Sequence, residues 1–253
     1  MTWDPTQYAL FSGHRSRPFG DLTAQIGATD PAWVVDVGCG AGDLTATLKQ
    51  RWPRARVQGF DSSPDMIAKV PRHAGVEYSV ADADAFDATG VDVVVSNAVL
   101  QWVPNHRDLL TRWAGQLGPG GWLALQVPSN LDAPSHRIMR ELSQSPPWRH
   151  RLAGVLRSSL AVSTPAQYLD LLAGEGLQAD VWQTEYHHVL QGADPVLEWV
   201  RGTGLRPVLD VLTAPEAVEF EREYATLLRA AYPTKPYGTP FGFLRTFAVA
   251  RKP

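Results

Sequence analysis

Residues 34 to 45 read Val-Val-Asp-Val-Gly-Cys-Gly-Ala-Gly-Asp-Leu-Thr. A β-branched run contains Asp36, glycines stand at Gly38, Gly40 and Gly42, and helix-forming residues follow. This order predicts a buried strand, a turn stripped of side chains and a helix N-terminus. There a ligand can lie against bare backbone and the positive end of the helix dipole. The spacing is not G-x-G-x-x-G, because Asp43 stands where the dinucleotide fingerprint requires glycine. Further polar groups follow in order. Asp61, with Ser62 beside it, ends a second strand pattern 19 residues after Gly42, and a carboxylate there can accept from both hydroxyls of a ribose. Asp82 follows a third strand pattern and can accept from an adenine amino group, with the Ala83 amide placed to meet a ring nitrogen. Asn97 follows a fourth, at the carboxyl edge of a sheet, where open α/β folds bind ligands.

The elements that must hold these groups alternate. Strand patterns cover 33–37, 56–60, 76–80, 91–96 and 122–127, with helical patterns between them, which predicts a parallel sheet with helices on both faces. The first helix runs from about Gly42 to Arg51 and stops ahead of Pro53. Ser63-Pro64 is an N-cap followed by proline at the first helical position. Leu109, Leu110, Trp113 and Leu117 form one helical stripe closed by Gly118-Pro-Gly-Gly121. Beyond Pro128 the rhythm breaks. Residues 130–165 read as an irregular helical insertion, and Thr164-Pro165-Ala-Gln167 reads as a capping box opening a helix to about Ala173. Strand patterns at 179–188 and 244–250 bracket a second helical insertion over 194–232. Its main helix, capped by Thr213 and Glu216, is expected to bury Phe220, Tyr224, Leu227, Leu228 and Ala231. The expected fold is α/β: a seven-stranded, mostly parallel sheet with a helical cap built from the insertions. Three regions are expected: an N-terminal lid segment 1–29, a cofactor-binding core 30–128, and cap insertions with the last two strands over 129–253.

Composition narrows the function. The chain has 253 residues, 44% of them apolar, and a formal net charge of −3; a nucleic-acid partner usually leaves a basic footprint, so none is expected. The nine tryptophans lack interleaved lysines and read mostly as core. The lone cysteine, Cys39, forbids an intrachain disulfide and suits a reducing cytosol; it reads as a small residue filling a tight turn rather than a nucleophile. No apolar run approaches the ~18 residues that span a bilayer, and no zinc-like ligand spacing occurs. A cytoplasmic monomer without a metal is expected.

The glycine turn, Asp61, Asp82 and the Ser96-Asn97 segment, in this order and at these spacings, resemble class I S-adenosylmethionine-dependent methyltransferases, with a Rossmann-like fold. The resemblance implies that Asp36 and Gly38 face the methionine part of S-adenosylmethionine. It further implies that Asp61 faces the ribose, Asp82 and Ala83 the adenine, and Asn97 the sulfonium end. Segments outside this core extend the likeness. They are the start from Trp3 to Pro18, Leu100-Gln-Trp102, Gln126-Val-Pro128-Ser-Asn130, the strand from Trp182 to His188, Trp199 to Pro207, and Phe243 to Arg251. Together they are similar to the trans-aconitate methyltransferase family.

That likeness implies a small tricarboxylate as substrate, methylated on one carboxylate to a monomethyl ester. Three negative charges need paired cations when buried, and arginine matches a carboxylate with a planar fork. Arg15, Arg17, Arg206 and Arg245 stand beside aromatic, Gly or Pro residues in low-charge segments. Tyr186 and His188 are further donors, and Tyr8, Phe11, Gln101, Trp102 and Trp199 complete the expected substrate set. A carboxylate is already ionised at neutral pH, its pKa being ~4, so no catalytic base is expected; alignment and exclusion of water carry the rate. A methyltransferase acting on another small molecule, such as a quinone or polyketide precursor, is the alternative. An S-adenosylmethionine sensor and a nicotinamide oxidoreductase are more distant ones.

Overall fold

The computed structural model describes residues 12–71, 75–156 and 162–253, with side chains from Ser16 onward. Seven strands form one sheet: β1 Trp33–Val37, β2 Arg56–Asp61, β3 Val76–Val80, β4 Val93–Asn97, β5 Trp122–Pro128, β6 Gln178–Leu190 and β7 Thr239–Arg251. Their order across the sheet is β3-β2-β1-β4-β5-β7-β6. β1 to β5 pair in parallel, whereas β7 runs antiparallel to β5. Val93, Val94, Val95 and Ser96 are all buried. Successive side chains of a strand point to opposite faces, so both faces of β4 are covered, as parallel strands require. The helices are α1 Ser12–Ala24, α2 Asp43–Arg51, α3 Pro64–Ile67, α4 His106–Gln116, α5 Pro134–Ser143, α6 Arg149–Leu152, α7 Pro165–Gly174, α8 Pro195–Arg201, α9 Arg206–Leu209 and α10 Ala214–Ala231.

Local chemistry sets the helix starts. The Ser63 hydroxyl accepts from the Met66 amide at 3.3 Å ahead of α3. Thr164 with Gln167 and Thr213 with Glu216 form the two expected capping boxes of α7 and α10. Such a cap is worth about 1 kcal/mol.

The chain divides into two compact units. One holds Arg15–Pro128, Val162–Thr184 and Arg245–Pro253. Its core packs Val35, Val37, Val94, Leu110, Trp113 and Leu125 with Tyr168 and Leu172 of α7. All four residues of the expected α4 stripe are buried there. The other unit includes Ser129–Ala161 and Glu185–Leu244. It has its own core, in which Trp148, Trp199, Phe220, Tyr224, Phe241 and Phe243 pack together. Of the tryptophans, Trp52, Trp113, Trp148 and Trp199 are buried, whereas Trp33, Trp102, Trp122 and Trp182 are half-buried.

Some boundaries and faces differ from expectation. β4 begins at Val93 rather than Val91. The Asp92 carboxylate instead accepts from the Ala32 and Trp33 amides at 2.7 and 2.9 Å, tying the entry of β1. β7 starts at Thr239, five residues early, and carries Phe241 and Phe243 into the second core. The Glu185 carboxylate fills the space that a side chain at 242 would need. On α10, Leu227 is 43% exposed and Ala225 is buried in its place. At about 100° per residue the stripe centres on Tyr224 and Leu228, leaving Leu227 at its margin.

Candidate active site

The turn after β1 is built from backbone. The Gly38 and Cys39 amides both donate to the Phe60 carbonyl, at 2.8 and 2.9 Å. Gly38 adopts φ 75°, and a Val99 methyl occupies the space that a side chain there would take. Gly40, at φ 56°, has nothing within 4 Å of where its Cβ would be. Gly40 is therefore the glycine over which a ligand can approach bare backbone, while Gly38 is required by packing against Val99. Gly42 precedes α2, and its carbonyl accepts from the Tyr78 hydroxyl at 3.0 Å. Cys39 packs against Gly59. Burial pushes its thiol far up, with the charges of Asp36 and Asp61 adding to the effect, so it stays protonated.

Two carboxylates frame this turn. Asp36 is 2% exposed and accepts from the Thr45 hydroxyl at 2.6 Å. Burial pushes its carboxyl up to about 6; the Thr45 hydrogen bond opposes this and the Asp61 charge adds to it. Asp61 is half-buried at the end of β2. One of its oxygens accepts from the Gly40 amide and the other from the Ser63 amide, each at 2.9 Å. Asp61 thus fastens the glycine turn to the start of α3, a job its sequence position did not reveal. Each oxygen keeps a lone pair. Ser62 is exposed beside it.

Asp82 accepts from the Asp84 amide at 2.9 Å, capping a single 3-10 turn over Ala83–Ala85, and Ala83 is buried. Asn97 ends β4, and its side-chain oxygen is buried without a hydrogen-bond partner among the described residues. The next residue, Ala98, has φ 59°, a left-handed conformation uncommon outside glycine. Its amide donates to the Gln126 carbonyl at 2.9 Å, and its carbonyl accepts from the Gln101 side chain at 2.6 Å. Gln101 therefore braces the β4 exit, a role not anticipated for it. Half-buried Trp102 closes the same short turn.

The remaining expected substrate residues fall in both units. Tyr8, Phe11 and the side chain of Arg15 lie outside the described residues. Arg17 is exposed on α1, 3.7 Å from Asp21 one turn on. Tyr186, His188 and Trp199 are brought together. The Tyr186 and His188 rings stack at 6.5 Å and 7°, and His188 stacks on Trp199 at 4.9 Å and 28°. Arg206 opens the single-turn helix α9, half-buried. Arg245, on β7, is 5% exposed and donates to the Gln126 side-chain oxygen at 3.1 Å. Gln126 had been assigned no role. Its signal is a polar residue inside the apolar run Trp122-Leu-Ala-Leu-Gln-Val127.

Among the described residues no group of three His, Cys, Asp or Glu is arranged to hold a metal ion. No described helix is long and apolar enough to cross a membrane.

A family model described as a methyltransferase domain matches residues 11–208. The trans-aconitate 2-methyltransferase of Streptomyces coelicolor is 53% identical over 264 residues, covering 100% of this chain and 87% of its own. That of Streptomyces avermitilis is 51% identical over 261 residues, covering 99% and 97%. Among solved structures, phosphoethanolamine N-methyltransferase 2 of Haemonchus contortus, in complex with S-adenosyl-L-methionine, superposes with a TM-score of 0.55 at 18% identity. That match covers 94% of this chain and 52% of the other and speaks for the fold alone. The Rossmann-like sheet, the glycine turn with its two carboxylates, and the whole-length likeness meet in one conclusion: the chain belongs to the methyltransferase domain family and, within it, groups with the trans-aconitate 2-methyltransferases.

Proposed function

We propose that the protein uses S-adenosylmethionine to convert trans-aconitate, or a similar small tricarboxylate, to its monomethyl ester. The observation that carries this reading is the 53% identity to a trans-aconitate 2-methyltransferase over the entire chain.

The residues present suit that cofactor. Gly40 leaves open space over backbone. Asp61, which accepts from two backbone amides, keeps lone pairs for ribose hydroxyls. Asp36 is a buried carboxylate held by a neutral hydroxyl and suits the cationic amino group of a methionine tail. In this reading the segment 30–128 holds the cofactor, with Asp82 and Ala83 meeting adenine, Gly38 and Gly42 shaping the turn, and Asn97 at the sulfonium end. When bound, S-adenosylmethionine supplies an electrophilic methyl group on sulfur.

The chain's own residues then bind, orient and dehydrate the substrate. A carboxylate with a pKa of ~4 needs no base at neutral pH. Well-aligned pairs gain on the order of 7–11 kcal/mol from orientation. Arg206, Tyr186 and His188 are the proposed donors to the substrate's carboxylates. The protein is proposed to act as a monomer in the cytosol without nucleic acid; its charge of −3 speaks against a nucleic-acid partner and its lone cysteine suits a reducing compartment.

The test is a methyl-transfer assay against a panel of di- and tricarboxylic acids, with a quinone and a polyketide precursor included. Turnover confined to tricarboxylates is expected; turnover on the apolar substrates alone would replace this reading by the alternative one. Arg206→Ala is expected to raise KM for the tricarboxylate at least tenfold while calorimetry shows unchanged cofactor affinity. An unchanged KM removes Arg206 from the substrate set.

A further inference from the structure

Register lines up one transverse row at the carboxyl edge of the sheet. Val37 pairs with Phe60 and with Ser96, which places residue 38 beside Asp61 and Asn97. Asn97 pairs with Gln126, and Gln126 with Phe247. Residues paired across strands project to the same face. The row therefore reads Asp61, Gly38, Asn97, Gln126 and Phe247, at about 5 Å per strand. Arg245, two residues before Phe247 on β7, shares this face. The whole row lies within one compact unit.

The polarity of this row is graded. Asn97 presents a buried oxygen, an acceptor, without a partner among the described residues. One strand over, Gln126 is fully buried, and its side-chain nitrogen, a donor, also lacks a partner among them. The two are not hydrogen-bonded to each other. The orientation of the Gln126 amide is fixed, because its oxygen takes the Arg245 guanidinium N–H at 3.1 Å. Reversing the amide would set an N–H against that cation. Next comes the positive charge of Arg245 itself. An acceptor followed by a donor and a cation suits a ligand pair whose positive member lies at Asn97 and whose negative member lies at Gln126.

We infer that the Gln126 side-chain N–H holds one oxygen of the carboxylate that becomes methylated, so that Gln126 determines which carboxylate of the substrate reacts. This rests on the proposed carboxyl methylation. A neutral amide suits the task better than an arginine. It orients the carboxylate without cancelling the charge that makes the second oxygen a nucleophile. Arg245 acts through Gln126 as a positioning residue, by locking the amide.

The variant Gln126→Met keeps the length and removes both polar atoms. With trans-aconitate, KM is expected to rise at least tenfold. The product is expected to change from a single monomethyl ester to a mixture of regioisomers, resolved by proton NMR of the esters. Cofactor affinity by calorimetry is expected to stay within twofold, which a loss of folding would not allow. A single ester formed with the wild-type KM overturns the inference. Should Gln126→Met fail to bind cofactor, Gln126→Glu keeps length and polarity, accepts from Arg245 with either oxygen, and repels the substrate. It is expected to raise KM a hundredfold, and a wild-type KM in this variant overturns the inference. Failure of both variants to bind cofactor makes Gln126 structural and overturns it too. A wild-type protein that methylates no polycarboxylate defeats the underlying reading instead, so the two failures are distinguishable.

Discussion

Replacing Asp61 with alanine is expected to weaken S-adenosylmethionine binding by at least a hundredfold, about 3 kcal/mol, measured by calorimetry at neutral pH. Two losses combine. Hydrogen bonds to a charged group are worth about 1.5–3 kcal/mol, and the alanine variant forfeits those proposed for the ribose. It also releases the Gly40 and Ser63 amides, which Asp61 holds at 2.9 Å each, so the bare turn and the start of α3 lose their shared anchor. The second loss separates this residue from a plain ribose contact. Asp61→Asn retains an acceptor oxygen for one amide but turns an N–H toward the other, so it should fall between wild type and alanine. If alanine costs less than tenfold, Asp61 neither holds the ribose nor preorganises the turn.

Much of this site was legible in the sequence, because its parts are local. Three glycines, a preceding β-branched run and a following helix fix the turn whatever surrounds it, and β1 and β3 fall where the residue pattern put them. Capping boxes at Thr164 and Thr213 were readable for the same reason: both partners lie within one helical turn. What escaped depends on partners remote in sequence. The early start of β7 carries Phe241 and Phe243 into a core whose other members lie far away in sequence. The shortened β4 rests on Asp92 meeting amides 59 and 60 residues away. The division of labour among the glycines depends on Val99, and the second function of Asp61 on a backbone amide 21 residues upstream. Gln126 became a candidate only when antiparallel pairing brought Arg245 next to it. No periodicity along β5 carries that pairing.

Asp36 provides the sharpest conflict between stability and function. Burial lifts its carboxyl from the ordinary 3.8 to about 6. The folded state therefore favours the protonated form. The stability contributed by this group is complete below 3.8 and is lost as pH rises through about 6. The gap between the two values corresponds to about 3 kcal/mol, and the cofactor-free protein at pH 7.5 goes without all of it. Asp36→Asn abolishes the titration while the amide oxygen can still accept from Thr45. Thermal unfolding of the cofactor-free variant at pH 7.5 should therefore show it more stable than wild type by about 1–3 kcal/mol. The stability difference between this variant and the wild type should widen as pH rises from 4 to 7. Cofactor binding should move the opposite way. The cationic tail proposed to lie beside Asp36 would stabilise the ionised carboxylate, so wild-type binding near pH 6 is expected to release a proton, seen as a dependence of the calorimetric heat on buffer ionisation. In Asp36→Asn that release should vanish and affinity at pH 7.5 should fall at least tenfold. A variant that is no more stable without cofactor, or that binds cofactor as tightly as wild type, would show that the Asp36 charge is not what the turn holds in reserve for its ligand.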